Sequence, residues 1–337
     1  MRQLLIFLTS LICVSAQTWV EQTSGTEASL RGVSAVSAKV AWASGAKGTY
    51  LKTTDGGAHW ITNTVPGAEQ LDFRDVEAVS ERVALLMSAG TGELSRVYRT
   101  VDGGAHWKLV LQNPDPKGFF DSMAFADSSN GAMVGDPVNG HFVVYTTADG
   151  GQSWKRQKTP EALPAEGAFA ASGTAIAARG NKRWFATGGP GCARVFYSLD
   201  AGRTWNVGRT PIRNDGPAAG IFGLYFFDDW RGMAVGGDYN KPAESRQNVA
   251  MTLDGGRTWR SIAGRNPDGF RSAIARVGEH WIAVGTSGSD ISRDNGETWS
   301  RFDSGAWNAI SFANGGVGWA VGPKGRVARF ANHPWNP

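Results

Sequence analysis

The chain has 337 residues, of which 41% are hydrophobic and 19% charged, so it can bury a core of one large domain or two small ones. Its 45 glycines and 14 tryptophans suit many short elements joined by tight turns, and an all-β protein better than a helical one. The formal net charge is +4 with the basic residues scattered; that favours acidic partners but gives no nucleic-acid motif, and no phosphate-loop or dinucleotide fingerprint appears, so no cofactor is expected.

In chain order, the first element is a leader. Arg2 precedes the apolar run Leu4 to Val14, and Val14-Ser15-Ala16 supplies small residues for cleavage. Residues 1–16 read as a secretory signal peptide, with a mature chain starting near Gln17 in the periplasm or outside the cell. Leu11 and Ile12 are too bulky for a lipoprotein site at Cys13. Losing Cys13 leaves Cys192 alone, without a disulfide partner. No later segment approaches the roughly 18 apolar residues of a membrane span.

From residue 53 onward one octet recurs: TTDGGAHW, TVDGGAHW, TADGGQSW, SLDAGRTW, TLDGGRTW and SRDNGETW. Its aspartates, Asp55, Asp102, Asp149, Asp200, Asp254 and Asp294, follow one another at 47, 47, 51, 54 and 40 residues. Strand-like runs flank each octet: one such as FDSMAFA, one such as GAMVGD, one such as RVYRT just before the octet and one such as WKLVLQ from its Trp. Four alternating strands per repeat predict an all-β, seven-bladed β-propeller of four-stranded antiparallel blades over residues 17–337. The last unit, 307–330, has three strands and no octet; QTWVEQTS at 17–24 matches a post-Trp strand. The N-terminal strand therefore completes the last blade, with Trp19 beside the 326–330 segment, and removes an unpaired edge.

The octet aspartates are tempting as catalytic acids, but they sit where a hairpin turn belongs. Asp accepts backbone N–H bonds there, Gly adopts the left-handed backbone, and Trp packs beneath. Six acids spread round a ring do not converge on one substrate, so the octet is expected to be architecture.

These octets resemble the Asp-box, or bacterial neuraminidase repeat, of sialidases, sortilin-type receptors and some endoglucanases. The wider repeat, with FDSMAFADSSNGAMVGD, FGLYFFDDWRGMAVGGD and WNAISFANGGVGWAVG, looks more like the photosystem II stability/assembly factor family. That resemblance covers residues 17 to about 330 and implies an exported seven-bladed propeller acting as an assembly chaperone.

Function then falls on the face opposite the octets, where the strand 2–3 loops and blade connections meet. Aligned inner strands place Arg31, Arg74, Asp121, Ala170, Gly223, Arg271 and Asn308 round the channel mouth, a net-positive ring. The plainer alternative is that the arginines make ordinary ion pairs with neighbours such as Asp75. Loops GDPVNGH and GGDYNKPAESRQ add Asp136, His141, Asp238, Tyr239 and Lys241. These predict a non-catalytic scaffold, monomeric, binding a protein or peptide through its acidic groups. The alternative is a sialidase- or endoglucanase-like glycoside hydrolase using Asp121, Asp136 and Asp238, although Asp136 and Asp238 could equally be two turn-forming acids. The sialidase Phe-Arg-Ile-Pro motif is absent, FRSAI (270–274) and TPIRN (210–214) are poor substitutes, and no Tyr–Glu pair is evident. His59, His106, His141, His280 and His333 lack metal-ligand spacing, so no metal is expected.

Overall fold

The computed structural model describes residues 18–331, and the leader falls outside them. Seven antiparallel sheets follow one another along the chain. Their inner strands are Leu30–Ala35, Asp72–Ala78, Phe120–Phe125, Ile176–Arg179, Ala219–Phe226, Ala273–Val277 and Ala309–Phe312, defining blades 1 to 7. Helix is confined, among the described residues, to one 3-10 turn at Gly92–Leu94.

Blade 7 takes its outer strand from the start of the described chain. Thr18–Gln22 pairs antiparallel with Val327–Ala331, and Trp19 lies opposite Phe330. Blade 1 closes onto blade 7: Leu30 N–H donates to Gly322 O at 3.0 Å, and Asn308 Nδ2 donates to Leu30 O at 2.7 Å. Not every blade keeps a full fourth strand. In blade 3 it shrinks to Lys155–Arg156, and in blade 5 to a bridge between Met251 and Arg260. Blade 5 is therefore three-stranded by ladder pairing.

Each sheet alone has two apolar faces to cover. Seven apolar clusters do so, one at every interface between neighbouring blades. Leu86 and Phe73 pack with Trp42 between blades 1 and 2, and Trp319 and Val321 pack with Leu30 between blades 7 and 1. Trp19 belongs to the cluster between blades 6 and 7, with Trp307, Phe330 and Ile282. No blade has a core of its own, so removing one blade exposes two interfaces.

The octets form closed loops. In all six, the Ser/Thr hydroxyl donates to the Asp carboxylate at 2.8–2.9 Å and accepts the N–H of the second Gly-position residue at 2.8–3.0 Å. The same Asp oxygen accepts the N–H four residues on, as with Ser153 at 3.0 Å and Thr204 at 2.9 Å. His59 and His106 turn Nδ1 onto their own octet Asp, each 2.7 Å away. These bonds hold the carboxyls of Asp149 and Asp200 down at about 2, through Ser153 and Thr204. The aspartates are occupied within their own loops.

Candidate functional site

Each inner strand begins on the face opposite the octets, because strands alternate in direction and the octets follow strand 3. Near that start, four inner strands carry an extra residue in the ladder. The register skips Arg31 between Leu30 and Gly32, Arg74 between Phe73 and Asp75, Asp121 between Phe120 and Ser122, and Phe222 between Ile221 and Gly223. A bulge aims its unpaired residue away from the sheet. Here it aims four of them into one cavity of about 440 Å³ at the channel mouth.

That cavity is lined by Arg31, Arg74, Asp121, Asp136, Ala170 and Asn308 as expected, and by Tyr239 at its rim. Two ring positions differ from the sequence alignment by one residue. Blade 5 presents Phe222 rather than Gly223, which is packed against Ala273 and Ser272 of the next blade. Blade 6 presents Ser272 rather than Arg271. Arg271 is fully buried and points into its own blade. Its Nε donates to Asp290 at 2.6 Å, and Nη1 donates to Ser287 Oγ at 2.9 Å and Phe270 O at 2.7 Å. It is a structural ion pair.

Asp238 and Lys241 also fall away from the cavity lining. Asp238 is buried, accepts Asn240 N–H at 2.9 Å, and lies 3.9 Å from Arg213 and 4.0 Å from Lys241. His141 is exposed at the tip of blade 3, 3.4 Å from Thr159 O. Of the three carboxylates grouped as a hydrolase set, Asp121 and Asp136 share the cavity and Asp238 does not.

The electrostatics are mixed. Arg74 Nε donates to Asp72 at 2.7 Å and Nη1 to Ala170 O at 2.9 Å. Its acidic partner is Asp72; Asp75 lies on the other side and accepts Met123 N–H at 2.7 Å. Arg31 makes no side-chain hydrogen bond or ion pair among the described residues. Burial and the neighbouring Arg74 charge lower its pKa. Asp121 is 1% exposed, and burial followed by the nearby Asp136 pushes its carboxyl well above the usual range. Burial raises Asp136 too, against one N–H bond from Ala168 at 3.0 Å.

Sequence reasoning missed the aromatic wall and the floor. Phe169 stacks on Phe222 at 3.9 Å and 11°, and Phe270 meets Phe222 edge-on at 4.7 Å. Phe119 completes the lining. The floor is an excursion of blade 4. Its chain bridges Gly167 to Gly188, leaves the blade, and rejoins at Ala175, whose O accepts Ala186 N–H at 2.8 Å. Between these points it crosses the channel, bonding Asp136 through Ala168 N–H and blade 6 through Ser172 Oγ to Ser272 O at 2.8 Å. A β-carbon at Gly173, where φ is +75°, would run into Asp75 Oδ1, so this crossing requires glycine. Below it lies a second chamber of about 350 Å³, lined by Asp75, Glu77, Tyr225 and Arg276. The small-residue run AFAASG was the one visible sign that blade 4 departs from the repeat.

The comparisons agree with the propeller fold. The BNR/Asp-box repeat model matches residues 290–301, the last octet and its flanks. No curated protein matches by sequence. A structure of YCF48 bound to a D1 peptide superposes with a TM-score of 0.65 at 15% identity, covering 95% of this chain and 98% of that one. YCF48 from Cyanidioschyzon merolae gives 0.64 at 18% identity, covering 94% and 99%. A streptogramin B lyase gives 0.68 at 13% identity, covering 94% and 98%. At these identities the likeness is one of fold, and the fold carries both binding proteins and an enzyme.

Proposed function

We propose that this seven-bladed Asp-box propeller, similar in fold to YCF48, is an exported, non-catalytic scaffold that binds a protein or peptide partner at its channel mouth. The observation that carries the reading is Arg31: a half-buried guanidinium, opening on a 440 Å³ cavity, with no hydrogen-bonded or ion-paired acid among the described residues and only the longer-range field of Asp72 acting on it. Guanidinium binds carboxylate by charge-assisted, two-pronged hydrogen bonds, and partial desolvation strengthens them. The phenylalanine wall supplies apolar area for a neighbouring side chain, the usual division of labour in a binding pocket. A terminal or side-chain carboxylate of a peptide meets both. Export rests on the leader at residues 1–16, and a role like that of an assembly factor rests on the resemblance of the repeats.

Fluorescence anisotropy with a library of labelled peptides tests this, comparing free C-terminal carboxylates with the same peptides amidated. Carboxylates should bind at least tenfold tighter, and Arg31→Ala should erase the difference. Equal binding of both forms would remove Arg31 from the site. A hydrolytic reading has one observation in its favour, the Asp121–Asp136 pair with raised pKa values. Release of reducing ends from glycans by the wild type, abolished in Asp136→Asn, would establish it.

A further inference from the structure

The mouth holds both signs of charge, and each sign has one member left over. Among the bases, Arg74 is engaged with Asp72 and Ala170 while Arg31 is not. Among the acids, Asp136 Oδ1 accepts Ala168 N–H, whereas Asp121 Oδ2 is buried with no hydrogen-bond partner among the described residues. A buried carboxyl oxygen without a donor costs stability, and native chains keep few of them without a use. Asp136 adds to Asp121's negative field, and Arg74 offsets it only in part. An incoming cation would be attracted by both acids; a neutral donor would satisfy only the one oxygen. The stacked rings of Phe169 and Phe222 offer an apolar surface for an alkyl stem leading to that cation.

We propose that the mouth is a two-charge site, in which Arg31 takes the ligand's carboxylate and Asp121 Oδ2 takes an ammonium group of the same ligand. The preferred occupant is a peptide with a free carboxyl terminus and a lysine-type amine within its last three residues. This rests on the carboxylate-binding reading above and adds the second contact. A metal ion is the weaker fit, because no group of three or more His, Cys, Asp or Glu is placed to hold one among the described residues. Burial and the nearby Asp136 favour the neutral carboxyl at Asp121, and a seated ammonium favours the carboxylate, so binding of the amine is linked to ionisation of that carboxyl.

The probes are acetylated tetrapeptides with free carboxyl ends, carrying lysine or isosteric norleucine at each of the last three positions. Titration calorimetry should show the best lysine peptide binding wild type at least tenfold tighter than its norleucine twin. Asp121→Asn should erase that ratio while keeping the norleucine affinity. In the wild type, the lysine-to-norleucine affinity ratio should grow as pH rises from about 4 to about 8, because the ammonium pairs with the ionised carboxyl; this needs no variant and stands even if Asp121→Asn fails to fold. Equal affinities for lysine and norleucine across that pH range, while Arg31→Ala still abolishes binding, would overturn this inference and leave the carboxylate site standing. No binding of any carboxylate peptide to wild type would overturn both.

Discussion

Trp19→Ala should open the ring. Trp19 is 6% exposed and sits among four aromatic rings: Phe330 at 5.1 Å, Trp307 at 5.9 Å, Phe302 at 6.2 Å and Phe312 at 6.3 Å. Its Nε1 donates to Ser289 Oγ at 3.0 Å, tying the closing strand to blade 6. Truncating a buried Trp costs about 3–5 kcal/mol through lost burial and the cavity left behind. Ser289 keeps a second contact with Asp303 at 3.3 Å, so its lost bond adds little. The expected loss of about 4 kcal/mol corresponds to a fall in Tm of roughly 6 °C for a chain of this length. Urea unfolding followed by tryptophan fluorescence measures it, with Trp19→Phe as a control that keeps a ring and should lose about half as much. A loss below about 1 kcal/mol in Trp19→Ala would mean that Thr18–Gln22 does not close the ring.

Three further outcomes follow from local chemistry. Ala201 occupies a left-handed position, φ +62°, where four other octets carry Gly; Ala201→Gly should stabilise by about 0.5–1 kcal/mol net of glycine's entropy, read from urea midpoints. Asp149 and Asp200 are held down near 2, so their stabilisation is present above the ordinary carboxyl range and lost as pH falls towards 2; acid unfolding of Asp149→Asn should start from lower stability and show a shallower slope between pH 4 and 2. Asp75 and Glu77 behave oppositely, because burial raises both carboxyls. The folded state keeps protons that the unfolded chain releases, so stability should fall as pH rises from about 5 to 8. Asp75→Asn, which still accepts the Met123 N–H, should flatten that fall, and an unchanged slope in chemical denaturation at those two pH values would contradict the assignment.

The blade count, the octet loops and the closing strand were legible because each is written locally. The spacing of Asp55 through Asp294 counts repeats, the octet bonds span only four residues, and Trp19 carries its post-octet register wherever the chain places it. The mouth was legible in part. Arg31, Arg74, Asp121 and Asn308 could be aligned, but whether an aligned residue enters the cavity depends on a bulge that shifts the register by one, and period-2 patterning is blind to that shift. Hence Phe222 stands where Gly223 was expected, and Arg271 turned inward to Asp290, a partner 19 residues away.

The amino-acid sequence by itself determined that seven small sheets form and stand in a closed ring, because hydrogen bonding and hydrophobic alternation within each repeat act over a few tens of residues. Only the tertiary structure decided that Ala168–Gly173 leaves blade 4 and spans the channel, and that the Arg31 guanidinium and the Asp121 Oδ2 are left without hydrogen-bond partners inside one cavity. Those outcomes depend on contacts between blades 2, 3, 4 and 6, about 50 to 100 residues apart, where fit at atomic distances replaces pattern.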